Sequence, residues 1–375
     1  MRIVFFCHSL LSDWNHGNAH FLRGVTTELL ECGHAVDVFE PRDAWSMVNL
    51  LQTEGPGALD DFHTAYPHLS ATRYDPDRLD LDGALAGADV VIVHEWNDHP
   101  VVRRIGQHRA AGGRYVLLFH DTHHRSLTEP AEMARYDLEH YDGVLAFGEV
   151  LRQRYLSQGW ARRAWTWHEA ADVRVFRPLP RPEGPGSEGD VVWIGNWGDD
   201  ERSAELRTYL VEPVWQLGLR ARVHGVRYPD EARELLADAG IEYAGWLANY
   251  RVPEVFARFT ATVHVPRRPY VEALRGIPTI RMFEALAAGI PLVSCWWDDA
   301  ERLFRPGRDY LLARTPREMT RALRAVTSEP ALARSLAASG LETIRAGHTC
   351  AHRVSELLQI VTSIQQTAPE TVVPA

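Results

Sequence analysis

Two doubly wound parallel α/β halves facing a cleft are the fold class the sequence predicts. Three observations carry that expectation. A strand, a loop, a helix and a second strand follow one another from the first residue: Arg2–Cys7, His8–Gly17, Asn18–Glu31 and Ala35–Phe39. A stretch rich in Pro, Gly and charge, Arg181–Gly189, has the composition of a hinge linker. After it the same order restarts with an apolar strand at Val191–Ile194. At 375 residues the chain can fill two cores. The expected division is a domain over 1–178, a linker over 179–189, a domain over 190–349, a helix over 350–366 packing across both domains, and a tail over 367–375.

In the first half, Phe21, Leu22, Val25 and Leu29 have helical spacing and Gly33 stops that helix. A helix is expected over Ala44–Leu51, within a Pro-, Asp- and His-rich stretch, 41–80, that gives no further pattern. Buried strands are expected at Asp89–Val93, Tyr115–Phe119, Gly143–Phe147 and Ala164–Trp167. In the second half, a loop at Gly195–Glu201 leads to a helix over Arg202–Leu217. Further strands are expected at Arg222–His224, Glu242–Tyr243 and Thr262–Val265. Pro278-Thr279-Ile280-Arg281-Met282-Phe283-Glu284-Ala285-Leu286-Ala287-Ala288-Gly289 then reads as a short helix, with Thr279 as N-cap and Gly289 as C-cap. A buried strand follows at Leu292–Cys295.

Composition excludes several classes. The net charge of −10 argues against general nucleic-acid binding. The chain has no Lys, so lysine Schiff-base chemistry and a Walker-type phosphate lysine are excluded. The first loop holds one glycine, Gly17, and lacks the dinucleotide fingerprint. Cys7, Cys32, Cys295 and Cys350 have no paired spacing and read as thiols of a reducing cytoplasm. No apolar run is long enough for a membrane span, and the N-terminus enters a strand rather than a signal peptide.

On the 279–288 helix, Ile280, Phe283 and Ala287 share one face, and Arg281, Glu284, Ala285 and Ala288 the other. The second face offers a cation, a carboxylate and small side chains, and the helix start favours a phosphate. This pattern resembles the donor-site helix of GT-B glycosyltransferases, specifically the CgeB-like group, in which Arg-x-x-Glu-Ala-x-Ala-x-Gly precedes a buried strand. Leu303–Tyr310 and His348–Arg353 also resemble that group. The resemblance covers most of 190–360 and, more loosely, 1–178.

The resemblance implies a metal-independent, retaining glycosyltransferase. Its co-substrate is a nucleoside-diphosphate sugar, with UDP or GDP favoured, and no separate cofactor is expected. It implies that Glu284 accepts from the ribose hydroxyls; a solvated helix carboxylate or a partner for Arg281 is the competing reading. A second family Glu, eight positions earlier and on the donor sugar, is Gly276 here. In the loop after the first strand of the second half, relatives carry an Arg after the Gly and a Lys seven further on. Gly195, Asn196 and Arg202 occupy these places, so Arg202 and Arg281 become the diphosphate cations. Trp246, in Tyr243–Leu247, lies in the loop that holds the base in the family. Thr279 begins the phosphate helix.

His120, in Phe119-His120-Asp121, matches a GT-B histidine near the donor sugar, and Gly17, Asn18 and His20 resemble the loop that approaches the donor phosphates or the acceptor. Glu95 and Asp98 are further substrate-side candidates. Inversion would make Asp121, Glu95 or His20 the base. Partners are the nucleotide sugar and a small-molecule or glycan acceptor. A nucleotide-sugar epimerase or hydrolase, a metal-dependent hydrolase built on the His and Asp clusters, and a silent binding module stand beside this reading.

Overall fold

The computed structural model describes residues 1–180 and 188–367. Residues 181–187 and 368–375 lie outside the described residues, and with them most of the expected linker and tail. The first sheet has strands β1 (Arg2–Phe6), β2 (Ala35–Pro41), β3 (Thr72–Tyr74), β4 (Val90–His94), β5 (Val116–Asp121), β6 (Gly143–Ala146) and β7 (Ala164–Thr166). Their order is β3-β2-β1-β4-β5-β6-β7, all parallel. The second has β8 (Gly189–Ile194), β9 (Ala221–His224), β10 (Ile241–Tyr243), β11 (Phe259–His264), β12 (Leu292–Cys295) and β13 (Leu311–Ala313), parallel in the order β10-β9-β8-β11-β12-β13.

Both sheets are doubly wound, as the sequence predicts. The strand order reverses at β1/β4 in one and at β8/β11 in the other. Ligands of such sheets gather at the carboxyl ends of the strands beside the reversal. Strands buried on both faces explain the near-continuous apolar runs, such as Val90–Val93 at 0–1% exposure.

The described chain divides into two compact units, and the division is not a single cut in sequence. One unit holds Met1–Ser12, Leu22–His168 and the chain from Ala351 onward. The other holds Asp13–Phe21 and Glu169–Cys350. The last helix, Cys350–Thr367, is tied to the first unit by Trp167, whose Nε1 donates to the Arg353 carbonyl at 2.8 Å.

Several elements differ from expectation. The helix expected over Ala44–Leu51 forms at Trp45–Thr53, but the rest of 41–80, which gave no pattern, adds a helix at Gly57–Ala65 and the edge strand β3. The expected 202–217 helix begins at Ser203 and runs to Leu217, with a π-type turn at Arg207–Val211 just before Pro213. Proline has no N–H to donate, and the wider turn absorbs its ring.

In the second unit, alternation along the strands sends Val191, Trp193, Val223, Val263 and Val265 into one apolar cluster. Thr262, His264 and Ser294 occupy the alternate positions on their strands. Helix Ile280–Ala288 packs on helix Pro330–Gly347 at Gly340, where an added Cβ would fall 2.6 Å from Leu286 Cδ2.

Candidate functional site

The helix Ile280–Ala288 forms because Thr279 enters it in an extended conformation and Gly289 leaves it at φ +67°, bonding back to Ala285 and Leu286. Thr279 holds the N-cap position, but its hydroxyl does not cap the helix. It bonds instead to His264 Nε2 at 3.0 Å. His264 Nδ1 meets Ser294 Oγ at 2.8 Å, and that hydroxyl donates to the Cys295 carbonyl at 2.7 Å. Ser294 has thus committed its proton, so His264 carries its own on Nδ1 and accepts from Thr279 at Nε2. Burial, then Arg202 and Arg281, pull His264 down to about 3, and it stays neutral.

The expected open face of this helix is in fact covered. Glu284, Ala285 and Ala288 are buried, with Glu284 at 0% exposure. Asn249 Nδ2 donates to Glu284 Oε1 at 2.6 Å, and Arg281, one turn back, makes an ion pair with Oε2. Burial raises the Glu284 carboxyl, and Arg281 and Asn249 oppose that rise. Of the two competing readings of Glu284, the solvated carboxylate does not hold, and the partner for Arg281 does.

Residues 13–21 pack into the same unit. Gly17 lies against Ile280, where a Cβ would stand 3.2 Å from Cγ2. Asn18 Nδ2 donates to Glu169 Oε1 at 3.1 Å. His20 Nδ1 donates to Asn249 Oδ1 at 3.2 Å, and its Nε2 accepts from the Asp172 amide at 2.9 Å. Both ring nitrogens are thereby committed, which leaves His20 no lone pair for a base.

At the β8/β11 reversal, Arg202 spans the two strand ends. Its guanidinium donates to the Asn196 carbonyl at 2.9 Å and the Val265 carbonyl at 3.2 Å, and it lies 5.1 Å from the Trp193 ring centroid. It also bonds Asn196 Oδ1, while Asn196 Nδ2 reaches Asn15. Burial lowers Arg202, and the charges of Arg267 and Arg281 lower it further. Arg267 has an ion-pair partner in Glu201. Arg202 and Arg281 thus both bear on His264, and Arg267 on Arg202, an arrangement that attracts an anion.

The loops beside this locus are stitched together. Gly195 N–H donates to the His224 carbonyl at 2.9 Å and Gly225 N–H to the Gly245 carbonyl at 2.7 Å. Gly225, at φ +155°, admits no side chain, because a Cβ would fall 1.9 Å from the Gly195 oxygen. Trp246 follows Gly245, half-buried, with its Nε1 buried and without a hydrogen-bond partner.

The first unit gathers other candidates. Glu95 and Asp121, at 0% exposure, share a hydrogen bond. Asp121 accepts from the Tyr155 hydroxyl at 2.8 Å and from the His123 backbone N–H at 3.0 Å. Burial first, then Asp121, push Glu95 well above the carboxylate range; burial raises Asp121 as well. His120 sits between the His94 and Trp167 rings, at centroid distances of 5.2 and 4.8 Å, and burial pulls it down to about 3. Asp98 is exposed and stands apart at the start of helix His99–Ala110. Among the described residues, no three His, Cys, Asp or Glu side chains are grouped to hold a metal ion.

Sequence reasoning missed Glu169, Asn249 and His264. Only His264 had a signal, as the polar end of an apolar strand resembling the one ending in His120.

The two doubly wound sheets define the class at the level of fold: the GT-B fold seen in glycosyltransferases. Residues 205–359 match the Glyco_trans_1_2 family, described as glycosyl transferase-like. No curated protein sequence matches the chain. Solved structures resemble it over nearly its whole length. Sucrose-phosphate synthase from Thermosynechococcus elongatus is 14% identical with a TM-score of 0.64, over 98% of this chain and 100% of its own. Anabaena HepE, in complex with UDP and glucose, is 13% identical with a TM-score of 0.67, over 97% and 100%. An alpha-glucosyltransferase, in complex with UDP and a 13-mer DNA containing a HMU base, is 12% identical with a TM-score of 0.65, over 96% and 99%.

Proposed function

We propose that this glycosyltransferase moves a sugar from a nucleoside-diphosphate donor, UDP or GDP in kind, to a small-molecule or glycan acceptor with retention at the anomeric carbon. The observation that carries the proposal is the cation locus at the β8/β11 reversal. Arg202, Arg281 and the start of helix Ile280–Ala288 receive the diphosphate, and Glu284, held by Asn249, receives the ribose. The Gly195–Asn196 loop and Trp246 border the nucleotide. The guanidinium groups balance the charge that develops on the leaving diphosphate, so the reaction needs no metal ion. UDP bound to HepE and to the alpha-glucosyltransferase supports a nucleotide donor.

Retention is supported by the state of the base candidates. His20 has both nitrogens committed, and Asp121 and Glu95 are tied to each other. An acceptor that attacks from the face the nucleotide leaves needs no separate base. Gly17, Asn18 and His20 are assigned to the phosphate end of the donor site, and His120, Asp121, Glu95 and Asp98 are the first unit's own candidates for substrate contact and catalysis. The CgeB-like group is the subfamily proposed. None of Cys7, Cys32, Cys295 and Cys350 forms a disulfide, which supports a cytoplasmic location. Among the described residues no helix is long and apolar enough to cross a membrane.

Thermal-shift screening against UDP, GDP, ADP and TDP tests the donor class, because a ligand of the native state raises its melting temperature. UDP or GDP should give the largest shift. No shift with any nucleotide overturns the proposal. Donor consumed at full rate without acceptor would instead identify an epimerase or hydrolase.

A further inference from the structure

Strand β9 ends in a histidine that the donor site has not yet used. His224 is 7% exposed, and among the described residues none hydrogen-bonds either of its ring nitrogens, both of which are buried. The sheet fixes the face this ring takes. Val223 enters the apolar cluster of the second unit, so the next side chain along the strand takes the opposite face. His224 pairs in register with Ile194, and Val192 with Thr262, so His224 shares its face with Thr262 and His264. Its carbonyl accepts from Gly195, in the loop that borders the nucleotide, and Gly225 beside it donates to Gly245, the residue before Trp246. Trp246 carries a second such group: its Nε1 is buried and without a hydrogen-bond partner among the described residues. Further along that segment, Asn249 holds the ribose carboxylate Glu284 at 2.6 Å. The two orphaned groups thus stand on neighbouring segments, one bonded to the Gly195 loop and the other leading to Asn249. A buried polar group without a partner destabilises the empty protein, and a ligand that supplies the partner recovers that cost.

We propose that His224 and Trp246 hydrogen-bond the edge of the donor's nucleobase. The inference rests on the donor site proposed above and adds the base to it. An indole N–H only donates, so Trp246 meets a carbonyl or a ring nitrogen of the base. A neutral imidazole donates at one nitrogen and accepts at the other, so His224 serves a carbonyl or an N–H. Burial first, then Arg222, pull His224 down to about 4 against the opposing charges of Glu242 and Glu188, and it stays neutral. Arg222 is itself paired with Glu242 at 2.8 Å and with Glu188. Ribose and diphosphate are common to every candidate donor, so the choice of base falls to these two side chains.

The test is calorimetric titration of the full chain with whichever of UDP and GDP the wild type binds more tightly, and with pyrophosphate as a probe that lacks the base. His224→Leu and Trp246→Phe keep apolar bulk and remove the polar group. His224→Leu should bind the nucleotide about tenfold more weakly and Trp246→Phe about threefold or more, with pyrophosphate affinity within about twofold of wild type in both. Without nucleotide, His224→Leu should melt higher than wild type, because no polar ring is left buried without a partner. A ring satisfied by buried water alone would leave nucleotide affinity unchanged in His224→Leu, and that result overturns the inference. Lower melting with equal losses for nucleotide and pyrophosphate marks a structural role and overturns it too. If His224→Leu does not fold, Trp246→Phe decides, and unchanged nucleotide affinity there overturns the inference. Arg281→Ala separates this inference from the donor site. If it weakens nucleotide and pyrophosphate alike while the other two variants change neither, the donor site stands and the base contacts fall. If Arg281→Ala also leaves nucleotide binding intact, the donor site itself is wrong.

Discussion

Replacing Glu284 by Gln separates a role in folding from a role in binding. The carboxylate is 0% exposed, accepts from Asn249 at 2.6 Å and pairs with Arg281. A glutamine keeps the shape and can still accept from Asn249 through its carbonyl. It loses the ion pair, a loss of about 3–5 kcal/mol where the remaining charge stays buried, but it also removes a charge whose own burial is costly. The Arg281 side chain, 16% exposed, can turn to water. Stability should therefore change little. Binding should not be spared. A hydrogen bond to a charged acceptor is worth about 1.5–3 kcal/mol. Loss of one such bond to the ribose weakens UDP by about 10- to 150-fold. Calorimetry gives the affinity, and a melting curve shows that the fold is intact. A folded Glu284→Gln protein whose UDP affinity lies within twofold of wild type would refute the reasoning and reduce Glu284 to a structural partner of Arg281.

Arg202→Ala should weaken UDP far more than uridine in the same titration, because the guanidinium is assigned to the diphosphate; equal losses would point to a remote cause. Glu95→Gln should raise stability at pH 8 relative to wild type, with the gain shrinking towards pH 5. A carboxyl raised by burial keeps its proton where the unfolded chain has lost it, so wild-type stability falls as pH rises, by at most about 1.4 kcal/mol per unit. A constant difference across denaturant melts at these pH values would refute this. Asp309→Asn should act with the opposite sign. Burial opposes the charge of Asp309, but bonds from Arg305, Ser339 and Thr343 outweigh it and hold the carboxyl low. The destabilisation should be full at pH 7 and shrink as pH falls below about 4. Activity retained in excess EDTA, measured as sugar transfer, is expected from the paired guanidinium groups.

Elements with a local cause were legible in the sequence. The buried strands announced themselves as apolar runs, and helix Ile280–Ala288 through its alternating faces and terminal Gly289. Its position fixed Arg281 and Glu284 together. The short strands β3 and β13, each spanning three residues, left no periodicity to read. The start at Ser203 and the π-type turn before Pro213 reflect packing around the proline rather than propensity. Thr279 illustrates a subtler limit. The residue type and place were right for a cap, yet the competing partner, His264, comes from another strand. The same distance in sequence hid the contacts of Glu284 and Glu169. Asn18, which holds Glu169, directly precedes the first helix, and Asn249, which holds Glu284, opens a short helical turn; neither position signals its distant partner. The expected open face of the helix failed for the same reason, since what covers it arrives from residues 13–21 and 249.

The most direct test of the central claim is a crystal structure of the full chain with UDP. The account predicts ribose hydroxyls within hydrogen-bond reach of Glu284. It also predicts diphosphate oxygens on Arg202, Arg281 and the first amides of helix Ile280–Ala288. A nucleotide bound elsewhere, with those three groups contacting only protein, would contradict it.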